Sequence, residues 1–313
     1  MSNPASTALI RRLTLRQLQI FEAVVRLGGV TRAAEELHLS QPTVSMQLRK
    51  LGETLGLALL EQTGRAVRPT AAGREVYTTT REILAGIASL DDLASELRNE
   101  VRGELRLSVI STATYFIPHL LGAFVERYPE VVPRLTITNR AEVLERLRAN
   151  ADDLIIMGQV PEAFPVAAHP FIDNRLVVVA PPDHGLVGQQ AISLERLVRE
   201  RFLAREPGSG TRLAVDRLLQ EHGLHITPYL ELGNAEAIKQ GVMAGLGLSV
   251  LSRRTLDLEL AAGRIALLDV VGFPLVRRWY AVHPKGKKLS LAARTFLAFL
   301  LEEGNEMLEA GQG

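Results

Sequence analysis

The stretch that decides the fold lies near the N-terminus and reads Arg32-Ala33-Ala34-Glu35-Glu36-Leu37-His38-Leu39-Ser40-Gln41-Pro42-Thr43-Val44-Ser45-Met46-Gln47-Leu48-Arg49-Lys50-Leu51. It predicts two short helices joined by a tight turn, because Ala33, Ala34 and Leu37 would form an apolar stripe on the first helix. Ser40 is a candidate N-cap for the second helix, and Pro42 suits a first helical turn. The pattern therefore favours a helix-turn-helix.

The second helix of this motif would present a polar face. Val44, Leu48 and Leu51 recur at helical spacing and predict its buried side. Outward-facing Gln, Ser, Thr and Arg side chains suit the DNA major groove, because they exchange hydrogen bonds with base edges and phosphate oxygens. A helical hairpin with a solvated polar face is the alternative that this spacing also allows. The candidate DNA-binding residues of the motif are Arg32, Ser40, Gln41, Pro42, Thr43, Ser45, Gln47 and Arg49.

A basic hairpin is predicted directly after these helices, between Leu59 and Thr70, with its tip at Thr63-Gly64-Arg65. A cationic hairpin beside a recognition helix is typical of a wing that reaches phosphates or the minor groove. Arg65 and Arg68 are therefore further candidate DNA-binding residues. Net charge is only +1 for the 313 residues, so the chain as a whole is not a polycation.

Five blocks of this region resemble, in the same order, the DNA-binding domain of LysR-type transcriptional regulators. They are Thr14-Leu15-Arg16-Gln17-Leu18 continuing to Phe21-Glu22-Ala23-Val24, Thr31-Arg32-Ala33-Ala34-Glu35-Glu36-Leu37, Ser40-Gln41-Pro42-Thr43-Val44-Ser45, Leu59-Leu60-Glu61-Gln62, and Thr70-Ala71-Ala72-Gly73. The resemblance implies a winged helix-turn-helix over residues 1–70. One departure is Gly52, where the family usually has Glu. Glycine weakens a helix by about 1 kcal/mol relative to alanine, so we expect the end of that helix to fray.

A long helix is predicted from Thr70, a good N-cap, to Gly103. Apolar or small residues recur in alternating steps of three and four, which is a heptad pattern. They are Val76, Thr80, Ile83, Ile87, Leu90, Ala94, Leu97 and Val101. Packing on its own domain is the alternative, but the position between two domains favours a dimerising coiled-coil linker over residues 71–103. A two-fold dimer would require two related DNA half-sites.

Beyond Gly103 the pattern changes to alternating strands and helices, which predicts open, mostly parallel sheets covered by helices over residues 104–313. The last two elements are a strand at 277–283 and one helix at 291–308. Two such α/β lobes resemble the periplasmic-binding-protein type of fold, which is also the effector domain of LysR-type regulators. That resemblance implies lobe I at 104–175 and 283–313 and lobe II at 176–282, with crossings near 174–177 and 279–283. The fold class is therefore α+α/β.

Candidate effector-binding residues lie where predicted strands lead into helices. In open α/β sheets, ligands bind beyond the carboxyl ends of strands, where helix N-termini carry a partial positive charge. Hydroxyls, glycines and arginines at such junctions favour an anionic metabolite, although plain N-capping explains Ser, Thr and Asn there equally well. The candidates are Ser111, Thr112, Thr114, Asn139, Arg140, Arg205, Ser209, Gly210, Thr211, Arg212 and Asn234. The family resemblance implies effector contacts at Thr112, Asn139, Gly210 and Thr211 in particular.

Further segments resemble the LysR subgroup that controls Calvin-cycle carbon-fixation operons. They include Ile156-Met157-Gly158, Pro170-Phe171-Ile172-Asp173-Asn174, Val179-Ala180-Pro181-Pro182-Asp183-His184, the segments 205–212 and 236–247, and Arg278-Trp279-Tyr280-Ala281-Val282-His283 with Lys287-Lys288-Leu289-Ser290. The resemblance implies a phosphorylated sugar or NADPH as effector. It also implies double-stranded promoter DNA and RNA polymerase as partners, and a homodimeric or homotetrameric activator. A LysR-type regulator of aromatic or amino-acid metabolism, with a carboxylate effector, is the alternative.

Composition and missing motifs exclude other classes of protein. The chain has no cysteine, which excludes disulfides, thiolate metal sites and thiol redox switches. Met1 to Arg12 does not read as a signal peptide, and no segment offers the ~20 apolar residues of a membrane helix. We therefore expect a soluble cytoplasmic protein. Phosphate-loop, dinucleotide and hydrolase motifs are absent, as is a metal-ligand set. We therefore expect neither a metal nor a resident cofactor, and a two-lobed enzyme or solute-binding protein is the more distant alternative.

Overall fold

The computed structural model describes Leu9 and residues 12–63, 66–98 and 100–310. It divides into two compact units, Met1–Arg98 and Asn99–Gly313. Within the part of the chain that is described, no helix is both long enough and apolar enough to cross a membrane.

The N-terminal unit is a winged helix-turn-helix followed by a long helix, as predicted. Its elements are α1 (Leu15–Leu27), α2 (Val30–Glu36), α3 (Gln41–Leu55), the antiparallel strands β1 (Leu60–Thr63) and β2 (Ala66–Pro69), and α4 (Ala71–Arg98). Thr14 begins α1 with a capping box to Gln17. Fully buried Phe21, Val44 and Leu51 hold the three short helices together.

Gly52 does not shorten the recognition helix. Helix α3 continues to Leu55 and ends at Gly56 in the left-handed conformation, so the expected fraying is not seen. The Leu57 amide donates to the Gly52 carbonyl at 3.0 Å. A Cβ placed on Gly52 would lie only 3.0 Å from the Leu57 carbonyl oxygen. Glycine therefore permits a close turn of the chain after α3.

Helix α4 is shorter than the predicted 71–103, because it ends at Arg98. Thr70 caps its start, with the hydroxyl accepting a hydrogen bond from the Gly73 amide at 2.9 Å. Gly103 is instead the first residue of a strand, and its amide donates to the Glu130 carbonyl. Because the backbone of Gly103 is paired in a sheet, it cannot continue the helix.

The second unit contains a mixed seven-stranded sheet and a separate two-stranded sheet. The strands are β3 (Gly103–Ile110), β4 (Val131–Thr138), β5 (Leu154–Met157), β6 (Val166–Ala180), β7 (Leu203–Arg205), β8 (Leu230–Leu232), β9 (Ser249–Ser252), β10 (Ala266–Leu268) and β11 (Leu275–Pro284). The large sheet has the order β10-β6-β11-β5-β3-β4, with β9 also paired to β6, and β7 pairs with β8. The prediction of mostly parallel sheets is wrong, because the long strands β6 and β11 run antiparallel to each other and to their other neighbours.

Helices cover both sheets, and most follow a strand directly. They are α5 (Ile117–Arg127), α6 (Arg140–Arg148), α7 (Leu194–Leu197), α8 (Gly210–Glu221), α9 (Ala235–Met243), α10 (Asp257–Ala261), α11 (Leu291–Glu302) and α12 (Gly304–Ala310). A 3-10 turn, Ser111–Tyr115, joins β3 to α5. The predicted helix 291–308 is two helices, because the chain breaks at Glu303 before Gly304, a residue of low helix propensity.

Separate hydrophobic clusters define two lobes, and strands β6 and β11 run through both lobes. Ile172 and Trp279 pack in the lobe I core with the C-terminal Phe296. Leu176 packs in the lobe II core, with Leu275 against it. The chain therefore returns to lobe I before Trp279, a few residues earlier than the predicted crossing at 279–283 and the lobe II limit at 282. Burial of the large indole in lobe I accounts for the shift.

Candidate functional site

The recognition helix α3 separates a buried side from an exposed polar side. Val44 and Leu51 are fully buried and Leu48 is partly buried. Beside this buried stripe, Gln41 and Ser45 are exposed one turn apart. Residues three or four apart on a helix are neighbours on its surface. The candidate base-reading side chains therefore form one continuous strip.

The predicted DNA-binding residues around this strip fall into three groups. Arg32, Ser40, Gln41, Pro42, Ser45, Arg49 and Arg68 are exposed, Thr43 and Gln47 are partly exposed, and Arg65 lies outside the described residues. Ser40 also has a structural role, because its hydroxyl accepts from the Thr43 amide at 3.3 Å and caps α3.

The exposed arginines of this region differ in how their charge is used. Arg26 pairs with both Glu22 and Glu36, which raise the pKa of its guanidinium. Arg49 and Arg68, by contrast, form no ion pair with any described carboxylate. Their charges are available to phosphates, whose contacts position a protein on DNA.

A second candidate site is a solvent-open cavity of about 460 Å³, open solvent included, between the lobes of the other unit. Eight of the predicted effector-binding residues line it: Ser111, Thr112, Asn139, Arg140, Arg205, Ser209, Gly210 and Thr211. We call this cavity the cleft.

The walls of the cleft are the carboxyl ends of three strands. Ser111 and Thr112 follow β3, Asn139 follows β4, and Gly210 begins α8 a few residues after β7. Asn139 also caps α6, its side-chain oxygen accepting from the Glu142 amide at 3.0 Å. At Ser209, the N-cap of α8, no side-chain capping bond forms. The start of α8, where backbone amides lack intrahelical acceptors, therefore lies at the cleft without a side-chain cap from Ser209.

Two arginines bring positive charge to the cleft. Arg140 donates to the Gln159 carbonyl at 2.7 Å. Arg277 donates to the carbonyls of Gly210 and Gly158, both at 2.6 Å. Burial lowers the pKa of both guanidinium groups, and the charge of Arg140 lowers the pKa of Arg277 further. Neither forms an ion pair with a carboxylate among the described residues.

Arg205 contributes less net charge than the sequence suggested. Its buried guanidinium forms a two-bond fork with the carboxylate of Glu206, at 2.7 and 2.8 Å. Glu206 itself lines the cleft. The pair is neutral overall, so Arg140 and Arg277 carry the uncompensated charge.

Three predicted effector-binding residues do not line the cleft. Thr114 lies in the same 3-10 turn as Ser111 and Thr112, but it is not part of the cleft lining. Arg212 is paired with Asp216 at 2.9 Å and with Glu231 at 3.3 Å. Asn234 caps α9, accepting from the Ala237 amide at 2.7 Å. For Asn234 the capping alternative is the one that the structure supports.

Several residues that line the cleft are not among the effector-binding candidates predicted from the sequence. Gly158, Gln159, Asn174, Glu206, Arg277 and Trp279 are among them. Arg277 and Trp279 lie within strand β11, where a motif search for strand-to-helix junctions does not look. Within the described residues, the Trp279 indole N–H and the Gln159 side-chain oxygen are buried without a hydrogen-bond partner. Unpaired buried polar atoms are costly, which suits a polar ligand.

A winged helix-turn-helix joined to a two-lobed domain with a cationic cleft defines a ligand-responsive, DNA-binding regulator. The model of the bacterial regulatory helix-turn-helix protein, LysR family, matches residues 15–74. The model of the LysR substrate binding domain matches residues 98–305. The chain belongs to the LysR family of transcriptional regulators, which confirms the resemblance found in the sequence.

Several similar proteins are regulators of the same family. A RuBisCO operon transcriptional regulator of Allochromatium vinosum is 48% identical over 94% of this chain and 98% of that protein. The HTH-type transcriptional activator CmpR of Synechocystis is 44% identical over 93% and 96% of the two chains. Among solved structures, the CcmR regulatory domain of Synechocystis in complex with 2-PG is 46% identical, with a TM-score of 0.62. That alignment covers 64% of this chain and 96% of the other.

Proposed function

We propose that this chain regulates a carbon-fixation operon and that its cleft binds a small, multiply charged anion. The observation that carries the ligand class is the pair Arg140 and Arg277, two half-buried cations whose hydrogen bonds, among the described residues, go to backbone carbonyls. Buried charges are normally paired. An anion with two or more charges would supply that pairing, and phosphate oxygens match the guanidinium fork.

The N-terminus of α8 supports the same ligand class. Ser209 and Gly210 line the cleft, and the twelve-residue helix behind them carries a partial positive charge at this end. The 2-PG bound by the related CcmR regulatory domain is one candidate ligand. The phosphorylated sugar and NADPH implied by the sequence resemblance are the others.

The proposal includes binding to promoter DNA in the cytoplasm as a dimer. Exposed apolar side chains along α4 support the pairing of two chains. Ile83, Ile87, Leu90 and Leu97 lie along α4 and are between 39% and 81% exposed in the single chain. A heptad stripe with this exposure favours a helical contact between two copies of the chain. Such a dimer would place two copies of α3 on two DNA half-sites, with a homotetramer as the larger assembly.

Ligand binding would act by changing the angle between the lobes. A ligand shifts such an equilibrium only by its different affinity for the two arrangements. The shift would change how paired chains bend promoter DNA, and with it the access of RNA polymerase. Chemistry on the ligand is no part of this proposal, because the relatives named above are transcriptional regulators.

The test is selection of binding sites from random duplex DNA by the purified full-length chain. We expect an interrupted palindrome, since a two-fold dimer reads two half-sites. The selection is repeated with 2-PG, ribulose 1,5-bisphosphate, NADPH or benzoate. The proposal requires that a phosphorylated compound changes the affinity or the footprint and that benzoate does not. A response to benzoate alone would support the alternative, a LysR-type regulator with an aromatic carboxylate effector. Enrichment of no sequence would contradict the DNA-reading role of α3.

A further inference from the structure

One polar contact joins the two lobes outside the cleft. Tyr115, the last residue of the 3-10 turn in lobe I, donates its hydroxyl hydrogen to the Glu236 carboxylate of lobe II at 2.9 Å. Glu236 lies in the first turn of α9, two residues after the cap Asn234. The contact spans 121 positions in the sequence.

Other side chains fix Glu236 in place. Its carboxylate accepts from Gln240 at 2.9 Å and pairs with Lys239 at 2.9 Å. These donors, together with Tyr115, lower the pKa of Glu236 to about 2 against the effect of burial. Lys239 is also bonded to Glu259 at 2.7 Å. The acceptor for Tyr115 is therefore an oriented carboxylate that stays ionised near neutral pH.

Lys239 contacts both Glu236 and the ring of Tyr115. Its ammonium lies 4.6 Å from the centre of the Tyr115 ring, within the distance for a cation–π contact. Burial disfavours its charge, but hydrogen bonds to Glu259 and Glu236 outweigh burial and raise the pKa of Lys239 above its usual value. The side chain is only 4% exposed. Tyr115 is thus held by its hydroxyl and by its ring face.

The contact lies outside the cleft, but Tyr115 belongs to the same turn as two residues that line it. Ser111 and Thr112 line the cleft and belong to the same five-residue turn as Tyr115. Tyr115, Glu236 and Lys239 are not among the residues that line it. Movement of lobe II relative to lobe I would therefore pull on the turn that carries two ligand contacts.

We propose that Tyr115, Glu236 and Lys239 form an inter-lobe latch that holds both walls of the cleft in the arrangement that binds the anion. The latch rests on the proposed ligand-binding function of the cleft. A binding-competent state that is populated only part of the time lowers the apparent affinity by that fraction. The latch raises that population, so Tyr115 acts as a positioning residue.

Arg277 also joins the lobes, through the carbonyls of Gly158 and Gly210. It lines the cleft, however, so its substitution would remove a ligand contact as well. The latch separates these two effects. Tyr115→Phe removes one hydroxyl and keeps the ring against Lys239.

The first experiment measures the Kd of 2-PG for the full-length chain by calorimetry. We expect Tyr115→Phe to weaken binding about threefold to tenfold, which is within the range for the net contribution of one typical hydrogen bond. Tyr229→Phe is the matched control, because Tyr229 is an exposed lobe II residue whose ring stacks on Arg201. It should leave Kd unchanged. Unchanged or tighter binding by Tyr115→Phe would overturn the proposal.

A double-mutant cycle separates the latch from general damage to lobe I. Glu236→Ala should weaken binding as Tyr115→Phe does, and the double variant should bind no more weakly than Glu236→Ala alone. Contacting residues show such non-additivity, whereas independent sites add. Additive losses would mean that the two residues act separately and would contradict the latch.

A second readout needs no ligand. The chain has no cysteine, so Lys288→Cys in lobe I and Ala262→Cys in lobe II introduce a unique pair of label sites, both exposed. Spin labels on this pair, diluted with unlabelled chains, report the distance between lobes within one chain. We expect a broader distribution with Tyr115→Phe than with Tyr229→Phe, and equal distributions would overturn the latch. If the parent chain binds none of the tested anions, the proposed function fails, while this distance measurement still decides the latch.

Discussion

In the N-terminal unit, the candidate DNA contacts of the recognition helix lie within the ten residues from Ser40 to Arg49. In the second unit, the cleft draws its lining from at least six separate segments, between Ile110 and Trp279. The first surface is assembled by the period of one helix. The cleft depends on the antiparallel pairing of β6 with β11, because these two strands run through both lobes and join them.

This difference determines how substitutions should behave in the two regions. Side chains on one exposed helix face contact DNA independently, so each should affect its own base pair. Residues of the cleft form hydrogen bonds across the lobes, as Arg277 does by donating to the carbonyls of Gly158 and Gly210. Their effects on ligand binding and on lobe arrangement should be coupled.

The largest effect should come from Arg277→Ala, which tests the cleft. It removes an uncompensated cation and its two hydrogen bonds, to the carbonyls of Gly158 and Gly210. Hydrogen bonds to charged groups are each worth about 1.5–3 kcal/mol, so we expect a loss of about a hundredfold in 2-PG affinity, measured by calorimetry.

Arg278→Ala is the matched control for Arg277→Ala. The Arg278 side chain is 60% exposed and lies 3.5 Å from Asp173, outside the cleft. Its removal should change ligand affinity less than twofold. Equal losses for the two arginines would mean that overall charge, and not the cleft geometry, attracts the anion.

Gln41→Ala, on the exposed polar strip of α3, should have a smaller and more selective effect on DNA affinity. Loss of a base-edge contact costs about 1–3 kcal/mol at the cognate site, whereas binding to unrelated DNA should hardly change. Arg68→Ala should instead weaken binding to all sequences and flatten its salt dependence. Fluorescence anisotropy with cognate and scrambled duplexes at two salt concentrations checks both.

Gln19→Ala on α1 is the control for Gln41→Ala, because Gln19 is exposed but lies outside the recognition helix. It should leave both affinities unchanged. If Gln41→Ala and Arg68→Ala lost affinity alike on every duplex, α3 would not be the base-reading helix.

The two surfaces also differ in how far the sequence could predict them. Ser40 as cap and Val44 as core follow from local spacing, and the structure confirms both. The cleft residues at helix starts, such as Asn139 and Gly210, follow from strand-to-helix junctions. Arg277 and Trp279 do not, because their position depends on which strands pair across more than a hundred residues.

The same limit explains the misplaced boundaries. The end of α4 at Arg98 and the return of the chain to lobe I at Trp279 are both set by strand pairing or core packing. Local periodicity does not contain that information. Conversely, Asn234 and Arg212 have the residue types of a ligand site, yet capping and ion pairing account for them.

The smallest effect should distinguish a hydroxyl that binds ligand from one that caps a helix. Ser209 and Ser193 both occupy N-cap positions, of α8 and α7. The Ser193 hydroxyl accepts from the Arg196 amide at 3.3 Å, whereas Ser209 makes no side-chain capping bond and lines the cleft. Ser193→Ala should therefore lower the free energy of unfolding by about 1 kcal/mol and leave 2-PG affinity unchanged. Ser209→Ala should leave stability unchanged and weaken 2-PG binding about threefold, the effect of one neutral hydrogen bond. Urea unfolding and calorimetry on both variants measure the two quantities, and the reverse pattern would remove Ser209 from the ligand site.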